Sequence, residues 1–265
     1  MTIKFIKMQS CGNDYVYIDC IAKNGFDFDG YNMSQIKKLV INLSNRNYGI
    51  GGDGVIFICK STVADAKMRM FNADGSEGKM CGNGIRCVAR YVYDNIKRKD
   101  KLKIETLSGI KNITIDKDKI TVDMGKAKID FSKSECLGYK ITYVDVGNPH
   151  IVIFENNIDN LDLAIVGSKF EKHKMFPEGV NTEFAEIIDG NVLKMRVWER
   201  GSGETLACGT GACAVAVSAV NKGISKKGED IRIILKGGEL IINHTDERVL
   251  MTGDAVKIFE GVIEI

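Results

Sequence analysis

The sequence predicts an α+β protein of two similar domains related by a pseudo-twofold axis, each a set of antiparallel strands wrapped around a central helix. Two observations lead to this fold class. The first is an internal repeat, because residues 67–84 (KMRMFNADGSEGKMCGNG) align without a gap to residues 194–211 (KMRVWERGSGETLACGTG). The second is that several short apolar segments accompany one helix in each half. The second of these helices is apolar on every side and is therefore expected to be buried.

The repeat continues on both sides of these segments. Downstream, Gly109 pairs with Gly237 and Gly125 pairs with Gly253. Upstream, a Gly-Asn pair precedes the alternating segment YVYID, and a second Gly-Asn pair precedes the alternating segment HIVIF. Matches that recur in this order predict a duplicated fold with half-chains of roughly 125 residues, a normal size for a domain.

The predicted elements occur in the same order in both halves. Residues 3–19 hold two apolar runs around a polar turn, which predicts two strands. A polar start at Asn32, followed by apolar residues at helical spacing, predicts a helix. Each half then continues with a short strand, a helix and a hairpin, predicted over residues 68–71, 85–96 and 113–122 and over residues 195–198, 212–221 and 231–242.

The charge balance of the chain excludes some classes of partner. Lys and Arg number 37 and Asp and Glu number 35, so the formal net charge of +2 argues against nucleic acid and against a membrane surface. No apolar stretch approaches the ~20 residues of a membrane span, and we find no secretory signal. We therefore expect a cytoplasmic protein that binds neither nucleic acid nor membrane.

The eight cysteines are predicted to be free thiols. Without a secretory signal a disulfide framework is not expected. Cys81 and Cys87 are six residues apart and Cys208 and Cys213 are five apart, so the spacing of paired zinc ligands is absent and no metal site is predicted. Five cysteines are interpreted as small buried apolar residues: Cys20, Cys59, Cys87, Cys136 and Cys213.

Cys81 and Cys208 occupy equivalent positions of the repeat, each in a C-G-x-G loop that leads into a predicted helix. Unpaired N–H groups and the positive end of the helix dipole meet at such a position. We expect this environment to lower the thiol pKa and to offer backbone donors to a carboxylate or a phosphate. If the domains pack about a pseudo-twofold axis, the two thiols can face each other across an inter-domain cleft, a favoured place for an active site.

Two symmetric acid/base groups around one anion site suit the inversion of a stereocentre next to a carboxylate. One thiolate removes the Cα proton, and the opposite thiol returns a proton to the other face. The helix N-termini stabilise the negative charge that develops, and no cofactor is required. Other interpretations remain open at this point. The loops can be tight turns only, a phosphate site is disfavoured because no G-K-[ST] follows, and a redox pair is usually spaced C-x-x-C.

The chain resembles the diaminopimelate epimerase family over essentially its whole length. The resemblance is carried, in order, by MQSCGNDYVYID, NRNYGIGGDGVIFI, FNADGSEGKMCGNGIRC, VGNPHIVIF, GVNTEF and ERGSGETLACGTGAC. It implies a cofactor-independent enzyme that interconverts LL- and meso-diaminopimelate, on the path to lysine and peptidoglycan precursors. It also implies a first domain over residues 1–118 to which a last strand, residues 254–265, returns, a second domain over residues 119–253, and a homodimer.

The resemblance also implies roles for individual residues. Cys81 and Cys208 match the acid/base pair, and His150 and Glu199 match positions that tune a cysteine pKa. Adjacent Glu199 and Arg200 suit the ammonium and the carboxylate of an amino acid, although a surface ion pair is the simpler interpretation. The positions that match substrate-binding and loop groups are Asn13, Asn72, Gly82, Asn83, Asn148, Asn181, Glu199, Arg200, Gly209 and Thr210.

Two other functions are compatible with the same residues. One is a racemase of a single amino acid such as histidine, on the same fold. The other is a non-catalytic protein that binds an amino acid or senses redox state through the two cysteines. All three interpretations share a small amino-acid ligand as the partner.

Overall fold

The computed structural model describes residues 2–265, and residue 1, the first of the predicted 1–118 domain, lies outside them. The chain forms two compact units. The first consists of the residues up to Val122 together with Asp254–Ile265, and the second consists of Asp123–Gly253.

The first half of the described chain contains the following elements: β1 (Thr2–Ser10), β2 (Asn13–Asp19), α1 (Met33–Ser44), β3 (Gly54–Cys59), β4 (Ala66–Asn72), β5 (Glu77–Gly78), α2 (Gly82–Asn95), β6 (Lys101–Thr106), β7 (Gly109–Asp116) and β8 (Lys119–Gly125). The second half continues with β9 (Lys128–Asp130), β10 (Glu135–Cys136), β11 (Tyr139–Lys140), β12 (Thr142–Asp145), β13 (Pro149–Phe154), a 3₁₀ turn (Ile158–Asn160), α3 (Leu163–Glu171), β14 (Asn181–Asp189), β15 (Val192–Glu199), β16 (Gly203–Glu204), α4 (Gly209–Asn221), β17 (Asp230–Leu235), β18 (Gly238–His244), β19 (Val249–Gly253) and β20 (Val256–Glu264).

The strands of the first unit pair in the order β20, β1, β2, β3, β4, β6, β7, β8. Neighbouring strands are antiparallel, except that β2 is parallel to β3 and β4 is parallel to β6. The short β5 adds to β4. Residues 256–264 thus complete a sheet whose other strands all come from the first 125 residues.

The strands of the second unit pair in the order β9, β12, β13, β14, β15, β17, β18, β19. The parallel neighbours are β13 with β14 and β15 with β17. These positions correspond strand for strand to β2 with β3 and β4 with β6. The internal repeat in the sequence is therefore also a repeat in topology.

Each unit has a helix against the inner face of its strands. Helix α2 packs on β1, β2, β4 and β6, and helix α4 packs on the seven strands β12, β13, β14, β15, β17, β18 and β19. Every residue from Gly211 to Ala219 is buried, as the all-apolar pattern Ala-Cys-Ala-Val-Ala-Val predicted. The predicted α+β class, with strands around a central helix in each half, is confirmed.

The two central helices begin three residues earlier than the sequence patterns indicated, directly after Cys81 and Cys208. Both cysteines have extended backbone angles, and each sulfur accepts the N–H of the third helical residue, Gly84 or Gly211. A Gly-rich first turn has low helix propensity, and Cys is not a common N-cap residue. Propensity alone therefore placed the helix starts too late.

Neither Gly84 nor Gly211 leaves room for a side chain. A Cβ on Gly84 would lie 2.6 Å from Cδ1 of Ile56, and a Cβ on Gly211 would lie 2.7 Å from Oε1 of Glu183. The first turn of each helix therefore rests directly on the neighbouring strand.

The packing of the second unit leads to a stability prediction. Phe184 on β14 is fully buried and packs edge to face with Phe170 and Tyr139. Phe184→Ala leaves a cavity, so we expect the free energy of unfolding to fall by about 3–5 kcal/mol in urea denaturation followed by circular dichroism. Ile187→Ala on the same strand removes a side chain that is 46% exposed, and we expect a change within about 0.5 kcal/mol. Equal losses for the two variants would contradict this account of the core.

Candidate active site

Cys81 lies at the N-terminus of α2 and is partly exposed. Its thiol donates to Oδ1 of Asn13, 3.3 Å away, and its sulfur accepts from the Gly84 N–H at 3.3 Å. The sulfur is therefore held between a side-chain amide and the first turn of the helix. Two predicted site residues, Cys81 and Asn13, are brought together.

The Asn13 amide is oriented by a charged network. Its Nδ2 donates to Oδ2 of Asp53 at 2.6 Å, which leaves Oδ1 to face the Cys81 thiol. Arg46 in turn contacts both Asp53 and Asp14, and Lys7 contacts Asp14. These cations lower the pKa of the Asp14 carboxyl even though burial opposes ionisation. The network ties the start of β2 to the loop before β3.

A fully buried arginine fixes the loop that carries Cys81. Arg86 lies one turn into α2 and is 0% exposed. Its guanidinium donates to the carbonyl of Gly82, to Oδ1 of Asn83 and to the carbonyl of Asp254, and also to the Ser10 hydroxyl. A buried charge requires this number of acceptors. Asn83, a predicted loop group, is 2% exposed and is held by Arg86.

Cys208 lies at the N-terminus of α4 and is 5% exposed. Its sulfur accepts from the Gly211 N–H at 3.4 Å and lies 3.4 Å from Oγ1 of Thr210. Asn148 donates from Nδ2 to the same Thr210 hydroxyl at 3.4 Å. Asn148 and Thr210, both predicted from the sequence, are thus next to the second thiol.

Glu199, the last residue of β15, is the acidic neighbour of this thiol. Its carboxylate accepts from the Thr205 hydroxyl. Burial raises the pKa of the Glu199 carboxyl. Burial, with the negative charges of Glu199 and Glu183, raises the pKa of the Cys208 thiol well above its ordinary value. The sequence predicted a lowered thiol pKa at a helix N-terminus, and for Cys208 burial and two carboxylates outweigh the helix.

His150 and Glu183 form a buried pair beneath α4. Nδ1 of His150 and Oε1 of Glu183 are 2.7 Å apart, and both side chains are 0% exposed. Because a carboxylate accepts, Nδ1 carries the shared proton. His150 Nε2 and Glu183 Oε2 are buried without a hydrogen-bond partner in the described residues. The charge of Glu183, the acidic member of this pair, is one of the charges that raise the pKa of the Cys208 thiol.

Three of the other predicted residues are placed as follows. Asn181 donates from Nδ2 to the Pro149 carbonyl at 2.9 Å and accepts the Arg200 N–H at 3.0 Å, so it holds the end of β15. The Arg200 guanidinium donates to the Glu178 carbonyl. Asn72 donates to the Ser76 hydroxyl. The Asn72 and Arg200 side chains are therefore engaged by neighbouring loops.

The surroundings of the two thiols differ in charge. Ile56 lies under the first turn of α2, and Glu183 lies under the first turn of α4, at the corresponding place. The fold is duplicated, but Gly84, which caps onto Cys81, packs on an apolar side chain, whereas Gly211, which caps onto Cys208, packs on an acidic one. The two thiols therefore have different electrostatic environments before any ligand binds.

The described residues, 2–265, contain no group of three or more His, Cys, Asp or Glu side chains arranged to hold a metal ion. None of the helices within that range is long and apolar enough to cross a membrane.

Comparison with known proteins gives the family. The model of the family described as diaminopimelate epimerase matches residues 5–129 and 142–258. The chain belongs to the diaminopimelate epimerase family. It is 46% identical to the diaminopimelate epimerase of Desulfovibrio desulfuricans over 98% of both chains. It is 44% identical to the diaminopimelate epimerase of Acetivibrio thermocellus over 99% of both chains.

A comparison of structures supports the same fold. A crystal structure of a phenazine biosynthesis protein of the PhzF family from Bacillus anthracis matches with a TM-score of 0.76, covers 100% of both chains and is 17% identical. At this identity the match shows the fold only. It confirms the fold class at full length for this diaminopimelate epimerase family member.

Three residues of this diaminopimelate epimerase family site were not indicated by the sequence patterns. Arg86 and Asp53 lie inside quoted motifs, but their spacing shows no role until the contacts of Asn83 and Asn13 are seen. Glu183 lies two residues after Asn181, within GVNTEF, at the buried start of β14. The preceding residues, Asn181 and Thr182, are also polar, so the sequence carried no signal that this carboxylate is buried.

The negative charge of Glu183 leads to a prediction about thiol reactivity. Glu183→Gln keeps the acceptor for His150 and removes the charge, so we expect the pKa of the Cys208 thiol to fall. At a fixed alkaline pH, iodoacetamide should then label Cys208 faster than in the unaltered protein, as measured by mass spectrometry, because only the thiolate reacts.

Glu186→Gln on the same strand serves as the matched control and should leave the rate unchanged. Labelling of Cys213, fully buried on α4, should stay equally slow and reports whether the helix has opened. A slower or unchanged rate at Cys208 in the Glu183→Gln variant would show that the carboxylate does not control this thiol.

Proposed function

We propose that this protein epimerises diaminopimelate between its LL and meso forms without a cofactor, with Cys81 and Cys208 as the acid/base pair. Membership of the diaminopimelate epimerase family supports the reaction. The observation that carries the proposal is that two cysteine sulfurs cap equivalent helices of a duplicated fold. The meso product is the form required for lysine and peptidoglycan precursors.

The chemistry follows from the positions of the two sulfurs on their helices. The reaction requires one thiolate to take the Cα proton from one face and one thiol to give a proton to the opposite face. The carboxylate of the substrate accepts negative charge as the C–H bond breaks. Free N–H groups at a helix N-terminus stabilise such charge by preorganised dipoles, and Gly82 and Gly209 let a ligand approach that backbone.

The two thiols are not equivalent in the ligand-free protein. Burial and two carboxylates hold Cys208 in its neutral form, which makes it the proton donor of the resting enzyme. Cys81 then acts as the base that removes the Cα proton from the isomer that binds to this resting form. The reverse reaction exchanges the roles, because a two-base inversion leaves the proton on the other sulfur.

The remaining site residues are proposed to hold the ends of the substrate. Asn side chains carry a donor and an acceptor together, which suits a zwitterion. Glu199 offers a negative charge to an ammonium group, and Arg200 offers a fork of donors to a carboxylate. The other proposed contacts are Asn13, Asn72, Asn83, Asn148, Asn181 and Thr210. His150, with Glu183, is proposed to tune Cys208.

The cytoplasm is the proposed location. In the described residues no two of the eight cysteines are joined by a disulfide, and the proposed reaction needs two of them as thiols. A reducing compartment preserves this state.

Turnover in deuterated water tests the function. We expect LL-diaminopimelate to convert to the meso form and to gain deuterium at Cα, because the returned proton comes from a thiol that exchanges with solvent. Cys81→Ser and Cys208→Ser should each slow epimerisation by about 10²–10⁴-fold, the usual effect of losing an acid/base group. Chiral chromatography with mass spectrometry measures both outcomes.

Cys213→Ala is the matched control, since it removes a buried cysteine of α4 that is not the cap. Its rate should be near that of the unaltered protein. If histidine or another single amino acid turned over faster than diaminopimelate, that amino acid would be the substrate instead. Stabilisation by an amino acid without any deuterium uptake would indicate a binding protein.

A homodimer is also proposed, through β20. This strand exposes Val256, Ile258, Phe259 and Val262, which are 42–58% accessible, and such apolar patches mark interaction sites. Light scattering should give twice the chain mass of 29.2 kDa. Ile258→Lys with Val262→Lys should give the monomer, while Ile110→Lys, at an exposed position of β7, should not. A monomeric unaltered protein would refute the dimer.

A further inference from the structure

Cys20 and Cys59 form a second pair of thiols, distinct from the two helix caps. Cys20 directly follows β2, and Cys59 is the last residue of β3. Asn13, which contacts Cys81, is at the opposite end of β2, roughly 20 Å away along the strand. Neither cysteine has a part in the proposed epimerisation.

The strand register places the two side chains next to each other. β2 and β3 are parallel, Asp19 pairs with Ile58, and the Cys20 N–H donates to the Ile58 carbonyl at 2.9 Å. The next position on each strand is Cys20 and Cys59. Neighbouring strands are about 4.8 Å apart, which lies within the Cα–Cα range of disulfides, about 4.4–6.8 Å.

The two thiols also point to the same face of the sheet. Cys20 follows Ile18 by two residues and Cys59 follows Phe57 by two, and both apolar residues are fully buried in one core cluster. Cys20 and Cys59 pack against that cluster but are only partly buried themselves. The sequence interpretation of both as small apolar residues packed in the core is confirmed except in one respect, since both are only partly buried.

We propose that Cys20 and Cys59 are a reversible oxidation site, which forms a disulfide when the protein meets a hydroperoxide. The two thiols lie close enough to affect each other's ionisation, and the Cys20 thiol donates to the Ile18 carbonyl at 3.7 Å. Two neighbouring thiols at an accessible rim of a sheet can close this bond with little movement of the backbone.

The surrounding charges assign different roles to the two sulfurs. Interaction with Cys20 and the positive charges of Arg69 and Lys67 lower the pKa of Cys59, and burial and Asp29 oppose them. Interaction with Cys59, burial and the negative charges of Asp19 and Asp29 raise the pKa of Cys20. Cys59 is therefore the thiolate that attacks first, and Cys20 is the thiol that resolves the intermediate.

The oxidation of the two thiols by a hydroperoxide takes two steps. The Cys59 thiolate attacks one peroxide oxygen, the O–O bond breaks, and Cys59 becomes a sulfenic acid while the leaving oxyanion takes a proton from solvent. The Cys20 sulfur then attacks the Cys59 sulfur, the S–O bond breaks, and the hydroxyl leaves with the Cys20 proton as water. The two sulfurs lose two electrons in total, and the peroxide gains them. A dithiol reductant converts the Cys20–Cys59 disulfide back to two thiols.

The experiment treats the full chain with hydrogen peroxide, blocks remaining thiols with iodoacetamide and analyses a non-reduced tryptic digest by mass spectrometry. We expect residues 8–23 joined to residues 47–60, and the joined pair should vanish on reduction. The first peptide also contains Cys11, so fragmentation between Cys11 and Cys20 identifies the linked sulfur. Cys136→Ser, at a buried cysteine of the other unit, is the control and should leave the joined pair unchanged.

Single variants separate the two roles. In Cys20→Ser, dimedone should trap a sulfenic acid on Cys59, whereas in Cys59→Ser it should not label Cys20. Labelling of Cys20 in the latter would reverse the assigned order. Absence of the joined pair in the unaltered protein, with other cysteines oxidised, would overturn the proposal. Cys81→Ser should still form the disulfide, so this result does not depend on epimerase activity.

Discussion

A sulfur atom that caps a helix is the interaction on which the site depends. Cys81 and Cys208 each accept the N–H of the third residue of a buried helix. The cap fixes where the helix begins, directs unpaired N–H groups toward the space beside the sulfur, and requires glycine three residues on. The start of the helix, the position of the cysteine sulfur and the direction of the first helical N–H groups are therefore set by a single contact. Because the topology is duplicated, the same capping contact occurs twice and places two cysteine sulfurs at equivalent helix N-termini.

The duplication is exact enough to give the same strand order twice, yet the two sites have diverged in charge. A side chain beneath α2 is Ile56, and its counterpart beneath α4 is Glu183, which is paired with His150. Placing a carboxylate and a histidine in a fully buried position costs free energy unless they satisfy each other. Among the described residues, only the unit of Cys208 has this buried histidine–carboxylate pair beneath its central helix. The two thiols therefore differ in the charges around them, while the backbone of the two units remains common.

The fold could be predicted from the sequence, and the two candidate cysteines could be singled out, because their signals are periodic or repeated. The repeat, the all-apolar helix and the two C-G-x-G loops each follow from a pattern in the letters. The start of α2 at Gly82 did not follow, since propensity scales disfavour glycine in a helix. The roles of Arg86 and Asp53 did not follow either, because both act through contacts between distant segments, such as Arg86 with Asp254. The pKa of Cys208 was predicted in the wrong direction, because burial is a property of the folded chain and not of a motif.

The path of β20 has a consequence for biosynthesis. The second unit is continuous in the chain, from Asp123 to Gly253, and can close its sheet as soon as those residues leave the ribosome. The first unit begins earlier but lacks the strand beside β1 until residues 256–264 have been made. Domains usually mature in the order of synthesis. Here the first unit cannot complete its sheet, and Arg86 beside the Cys81 loop cannot contact Asp254, until the whole second unit has been translated.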